Sequence, residues 1–267
     1  MSTTDGAAGA EPVLRMEHVT KRFRLGGILR RTAHVAVRDA SLELGRDEVL
    51  GLVGESGSGK STLGRMAIGL IRPTSGSVTV LGRDILSLRR SELRTYRRRM
   101  QMVFQDSSNS LNPRMTLREL LEEPYRVQGL HTPAEREVRA LALADEVGLA
   151  RSWMGRLPHE FSGGQRQRVS IARALALEPE LIVADEPVSA LDVSVQAKVL
   201  NLLKDIRRAR GLSLLFVSHD MAVVDFMCDR VAVLNGGRVV ESGPTSQVLR
   251  APADDYTRTL IEAVPRL

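Results

Sequence analysis

Eight consecutive residues, GESGSGKS at 54–61, restrict what this chain can fold into more than any other feature. Two glycines stand five residues apart, a lysine and a hydroxyl residue follow, and the apolar run EVLGLVG leads directly into them. A continuous apolar run suits a strand buried on both faces, as in a parallel sheet covered by helices. Glycines let several backbone N–H groups converge on one anion, and a helix beginning near Gly59 adds the positive end of its dipole. Lys60 would reach the β and γ phosphates of a nucleotide, and Ser61 would place its hydroxyl on a Mg2+ ion bridging them. From average composition the pattern arises by chance in about one chain in a hundred of this length, and its strand and helix flanks lower that further. The loop reports phosphate binding; what the energy drives must come from elsewhere.

The remainder of the chain supplies a sheet for this loop. Apolar and polar residues alternate in VLRMEHV and VAVRDASLEL, which predicts strands exposed on one face. LIVAD, LSLLFVS and RVAVL alternate with helical patterns at 192–210 and 220–227, the rhythm of a parallel βαβ sheet, and NGG at 235–237 turns RVAVL back onto RVVES. Between Ser91 and Ala176 strand signals shrink to MQMVF, while TLRELLEE and AEREVRALALADEV carry helical periodicity, which predicts a helical subdomain inserted once into the core. Residues 1–12 show no apolar periodicity and are expected to be a disordered tail. No window approaches the roughly 18 apolar residues of a membrane span, and the start lacks the apolar region of a signal peptide, so a cytoplasmic protein is expected. Cys228 is the only cysteine, which leaves no disulfide framework; within an apolar run it reads as a core residue. A net charge of +6 could point to nucleic acid or an anionic surface. Arg89, Arg90, Arg94, Arg97, Arg98 and Arg99 crowd around Glu92, however, and read as a solvated helix start.

LIVADEP at 181–187 is an apolar strand ending in two carboxylates. Asp185 should emerge at the C-terminal edge of the sheet, where open α/β sheets hold their ligands, and can hold Mg2+ through water. Glu186 points differently and can act as general base on a water in line with the γ-phosphate. His219 follows another apolar strand, SLLFVSHD, and can reach the γ-phosphate or the attacking water from the same edge.

FSGGQRQR at 161–168 then looks like the signature of ATP-binding cassette (ABC) proteins, with Ser162, Gly163, Gly164 and Gln165 in the family order and Phe161 where leucine is commoner. SGGQ opening a helix is a second anion site, and one ATP cannot need both. The chain resembles the nucleotide-binding subunit of an ABC transporter. That resemblance implies an α/β P-loop NTPase with a RecA-like parallel core, an antiparallel β subdomain and an inserted helical subdomain. The core would span 13–95 and 177–245, the helical subdomain 96–176 and a C-terminal helix 246–267. ATP and Mg2+ are the implied ligands. Gly54, Glu55, Ser56, Gly57, Ser58, Gly59, Lys60, Ser61 and Thr62 would hold the phosphates, with Ser61, Gln105 and Asp185 at the metal. Lys60, Gln105, Glu186 and His219 would be catalytic. Phe23, upstream of the loop in an aromatic-poor chain, is the candidate for stacking on adenine. In the family two subunits pack head to tail, so Ser162, Gly163, Gly164 and Gln165 of one chain would close over the ATP of the other, with SALD at 189–192, ending in Asp192, at the dimer interface.

Longer strings narrow the resemblance. MVFQD followed by SLNPRMT, HEFSGGQRQRVSIARALALEP and DEPVSALDVSVQAKVLNLL are similar to the branch serving dipeptide, oligopeptide and nickel importers, over about residues 13–265. DDYTRTLIEAVP resembles its terminal helix, with Asp254 and Asp255 replacing the usual histidine and proline. Relatives with a cysteine-bearing extension can hold an iron–sulfur cluster; none is expected here. The implied partners are a second ABC ATPase subunit, preferably a different chain, two membrane permease subunits and, indirectly, an extracytoplasmic substrate-binding protein. No nucleic acid is expected, and the implied location is the inner face of the cell membrane. DSSNSLNPRM after Gln105 would floor the groove that receives a permease helix. Peptide cargo is favoured, with nickel or a metal chelate as the alternative. A DNA-associated ABC ATPase is the rival of a different class, but such proteins insert a long coiled coil before the signature and no heptads occur here. A non-catalytic regulatory module would be expected to lack the base or the signature, and both are present.

Overall fold

The computed structural model describes residues 11–25, 32–105 and 110–263. Most of the expected tail, part of the segment between Phe23 and the next strand, and Asp106 to Asn109 of the expected groove floor lie outside the described residues.

Strands β1 (Leu14–Leu25), β2 (Thr32–Leu44), β4 (Ser75–Val80) and β5 (Arg83–Asp84) form an antiparallel sheet in the order β2-β1-β4-β5. Strands β3 (Val49–Val53), β6 (Met100–Val103), β7 (Leu181–Asp185), β8 (Ser213–Val217), β9 (Arg230–Asn235) and β10 (Arg238–Pro244) form a second sheet in the order β10-β9-β3-β8-β7-β6. Every pairing in it is parallel except β9 with β10.

Continuous apolar runs are needed in the second sheet because it feeds two cores at once. Every residue of β3, β7 and β8 is buried. Leu50, Leu52, Leu181, Val183, Leu215 and Val217 pack with Leu14, Met16 and Val37 of the antiparallel sheet and with Leu63 and Met66 of helix α1 (Lys60–Ala67). Their alternates Val49, Val53, Ile182, Ala184, Leu214 and Phe216 pack on the opposite face with helices of the insert. Each fully buried side chain of this kind contributes about 1.5–3 kcal/mol.

Helices α3 (Leu117–Gln128) and α4 (Pro133–Glu146) each start at a threonine followed three residues later by glutamate, and both capping boxes form, at Thr116 with Glu119 and Thr132 with Glu135. With α5 (Gly163–Leu175) they are the long helices among the described residues of the 96–176 stretch. Within the same stretch β6 is hydrogen-bonded along β7 and joins the six-stranded sheet. A four-residue strand inside a helical region carries too little periodicity to announce its sheet.

The arginine-rich segment also departs from expectation. It contains α2 (Arg90–Tyr96), but four of its arginines are fastened to other elements. Arg94 donates to the carbonyl of Val127, Arg98 to the side chain and carbonyl of Gln128, Arg97 to the carbonyl of Gly69 and Arg99 to Glu180. Val127 and Gln128 end α3, where carbonyls lack intrahelical partners, and Arg94 and Arg98 supply them.

Helix α6 (Val193–Arg210) follows β7 and α7 (Met221–Met227) follows β8. Where a C-terminal helix is expected over 246–267, the described residues form α8 (Thr245–Arg250) and α9 (Asp255–Glu262), and residues 264–267 lie outside the described residues. Pro252 supplies no N–H between them, and Asp254 caps the second by accepting from the Tyr256 N–H at 2.9 Å. Cys228 is a free, buried thiol.

Candidate active site

β3 delivers the chain into the glycine loop, and the loop's backbone explains its composition. Gly54, Gly57 and Gly59 have φ of 145°, 81° and 106°. A Cβ at Gly54 would lie 2.1 Å from the Leu234 carbonyl oxygen, and one at Gly59 2.3 Å from that of Ala36. Lys60 begins α1 at 5% exposure, and its Nζ donates to the carbonyls of Gly54 at 2.7 Å and Glu55 at 2.8 Å. Burial lowers the pKa of this ammonium, while Glu186, Asp185 and Glu55 work against the shift. The lysine is thus held by the loop's own oxygens, a set of contacts that phosphate oxygens can replace.

Asp185 ends β7 at 1% exposure. Ser61 Oγ donates to its Oδ1 at 2.8 Å, and Arg65 stands 3.9 Å from Oδ2. Burial raises the Asp185 pKa, opposed by the Ser61 hydrogen bond and the Arg65 charge. A hydroxyl, a carboxylate and the nearby Gln105 amide are hard oxygen donors of the kind Mg2+ takes. Among the described residues no group of three His, Cys, Asp or Glu side chains could hold a metal, so a cation here would complete its shell with phosphate and water oxygens.

The next residue turns the other way. Glu186 has a φ of 45°, unusual for a residue with a side chain, and its N–H donates to the Val217 carbonyl at 3.0 Å. Strain of this kind costs roughly 1–3 kcal/mol and persists only where the surroundings impose it. Its effect is to separate two adjacent carboxylates: Asp185 meets Ser61, while Glu186 Oε2 accepts from Gln105 Nε2 at 3.0 Å and lies 3.2 Å from His219 Nδ1. Three segments far apart in sequence therefore converge on one carboxylate oxygen.

A cavity of about 550 Å³ joins most of these groups, Asp185 lying behind Ser61 without lining it. Of the loop, Ser56, Gly57, Gly59, Lys60, Ser61 and Thr62 line it, together with Gln105, Glu186 and His219. Gly54, Glu55 and Ser58 belong to the loop without lining the cavity, and Ser58 Oγ is buried with no partner. Phe23 also lines it, beside His34 and Ala36 of β2. Phe23 and His34 are cross-strand partners; neither His34 nor Ala36 stands out in the sequence, because only the register of β1 on β2 brings them there.

The SGGQ segment forms a separate feature. Ser162 caps α5: its Oγ accepts from the Gln165 N–H at 3.3 Å, and Gln165 Oε1 accepts from the Ser162 N–H at 2.9 Å. A Cβ on Gly164 would come 2.3 Å from Val195 Cγ1, so glycine is what lets α5 approach α6 here. Phe161 is 4% exposed and meets Trp153 edge-on at 6.0 Å, so the larger side chain is accommodated. Neither Ser162, Gly163, Gly164 and Gln165 nor Asp192, the residue before α6, lines the cavity, and Val193 beside Asp192 is 82% exposed. A further cavity of about 330 Å³, beside Gln105, is walled by Phe104, Val127 and Leu177 with Arg97, Glu123 and Arg173.

The ABC transporter family matches residues 37–189. A putative peptide import ATP-binding protein of Brucella ovis is 49% identical over 255 residues, 95% of this chain and 79% of that protein. The oligopeptide transport ATP-binding protein AppF of Bacillus subtilis is 47% identical over 263 residues, 97% of this chain and 80% of that one. A dimeric ATP-binding cassette solved in a post-hydrolysis state with ADP and Pi superposes with a TM-score of 0.77 at 32% identity, covering 87% of this chain and 98% of its own.

Proposed function

The chain belongs to the ABC transporter family, and we propose that it is the ATP-hydrolysing subunit of an importer whose cargo is di- or oligopeptides. ATP hydrolysis coupled to transport is the activity of this family, and relatives named for peptide import favour peptides over nickel or a metal chelate.

The observation that carries the catalytic reading is the convergence of Gln105 and His219 on Glu186 Oε2 beside the phosphate loop. In this reading the loop N–H groups and the start of α1 receive the β and γ phosphates, and Lys60 exchanges the carbonyls of Gly54 and Glu55 for phosphate oxygens. Glu186 takes a proton from the attacking water, with Gln105 and His219 fixing the carboxylate and the water's place. Mg2+, held through Ser61, Gln105 and a water on Asp185, would offset charge on the β and γ oxygens. Phe23 offers its ring to adenine.

Ser162, Gly163, Gly164, Gln165 and Asp192 lie outside the cavity because they serve the ATP of a second subunit packed head to tail, preferably a different chain. Two ATP molecules close the pair, the permease changes facing, and hydrolysis reopens it. Among the described residues no helix is long and apolar enough to cross a membrane, so the transport path belongs to permease subunits. We assign two of them, with a substrate-binding protein outside, and place this chain on the inner membrane face. The cavity beside Gln105, with exposed Phe104 and Val127, is the seat for a short permease helix.

Glu186→Gln tests the chemistry. Hydrolysis should fall by at least about a hundred-fold, as expected on losing a general base, while ATP still binds; hydrolysis at the normal rate would remove Glu186 from the mechanism. Uptake of labelled peptide, set against uptake of Ni2+, by cells with and without the intact gene tests the cargo.

A further inference from the structure

The peptide group joining Gly54 to Glu55 is held at both ends by side chains from different parts of the chain. Its carbonyl accepts from Lys60 Nζ at 2.7 Å. Its N–H donates at 3.1 Å to the hydroxyl of Tyr256, on α9. The N–H and C=O of a trans peptide point in opposite directions, so fixing the N–H on Tyr256 aims the carbonyl at Lys60.

This peptide needs such an anchor. It follows a glycine at φ 145°, and glycine places the fewest restrictions on rotation of the adjoining peptide plane. While Lys60 bonds to it, the plane is fixed from the carbonyl side. Once Lys60 turns to phosphate oxygens, only the Tyr256 hydroxyl remains of the two.

Tyr256 is itself firmly placed. Its ring packs against the core shared by β3, β8 and the helical insert, and Thr257 beside it is fully buried. The start of α9 is pinned by Glu241 of β10, which accepts from the N–H groups of Ala253 at 2.9 Å and Asp254 at 3.1 Å.

We propose that Tyr256 is a positioning residue of the nucleotide site: its hydroxyl holds the Gly54–Glu55 peptide in the orientation that receives phosphate, making α9 part of the ATP-binding apparatus. The inference rests on the loop of residues 54–61 binding the nucleotide phosphates.

The test is a double-mutant cycle read by nucleotide affinity, using a fluorescent ATP analogue with Mg2+, together with hydrogen exchange of the loop in nucleotide-free protein. Tyr256→Phe keeps the ring and removes the hydroxyl. It should weaken binding about three- to ten-fold, the range for losing one hydrogen bond, and speed exchange in the segment containing Glu55 without lowering the melting temperature. Glu55→Pro removes the same N–H from the other side, so in that background Tyr256→Phe should have no further effect. Unchanged affinity and exchange in the single variant, or an equal loss of affinity in both backgrounds, would overturn the proposal. A wild-type chain that binds no nucleotide would instead sink the reading of the loop itself, which separates the two failures.

Discussion

Asp185→Asn should stabilise the nucleotide-free protein while weakening its response to ATP. The carboxylate is 1% exposed, receives one hydrogen bond from Ser61, and has its nearest guanidinium, Arg65, only at 3.9 Å. Burial raises its pKa in spite of both, which means the charged form is under-compensated in the fold. An asparagine keeps an acceptor for Ser61 and removes the charge. Lys60 is not stranded by the change, because Glu186 is the strongest of the acidic groups that favour its charged form. Relief of one poorly compensated buried charge is worth about 1 kcal/mol, or roughly 2–4 °C in melting temperature for a domain of this size. The assay is thermal unfolding with and without ATP and Mg2+. Ligand at a hundred times its dissociation constant would stabilise the wild type by about 2.7 kcal/mol, and the variant, deprived of the carboxylate proposed to hold the metal, by much less, so the order of stability should reverse on adding nucleotide. A variant less stable than wild type without nucleotide would mean that attraction to Lys60 and Arg65 outweighs desolvation, contrary to this account.

Gly59→Ala should cost about 1–3 kcal/mol of loop strain and lower nucleotide affinity accordingly, since the new Cβ would meet the Ala36 carbonyl at 2.3 Å; affinity within two-fold of wild type in a titration would count against it. Phe161→Leu should lower stability by about 1 kcal/mol through loss of the edge-on contact with Trp153, measured by denaturant unfolding, and an unchanged midpoint would deny that contact its role. Cys228, buried and with its pKa pushed up by desolvation, should react with a thiol reagent only as the protein opens; rapid labelling of the folded chain would contradict the packing.

Features that rest on neighbours along the chain are legible in the amino-acid order alone. The loop at 54–61, the buried runs that become β3, β7 and β8, and the S/T-x-x-E/Q starts of α3, α4 and α5 depend on backbone chemistry within a few residues, which composition and spacing record directly. Asp185 and Glu186 were legible as a pair for the same reason. Tertiary structure decided what depends on register and on approach between distant segments. It turned Glu186 to a positive φ and brought Gln105 and His219 to the same oxygen. It paired Phe23 with His34 across β1 and β2. It spent the guanidinium groups of Arg94, Arg97 and Arg98 on the carbonyls of Val127, Gly69 and Gln128. It also carried the Tyr256 hydroxyl onto a phosphate-loop peptide 201 residues away. None of these contacts leaves a periodic trace, because a single side chain meeting a remote partner changes neither the hydrophobic pattern nor the turn chemistry of its own segment.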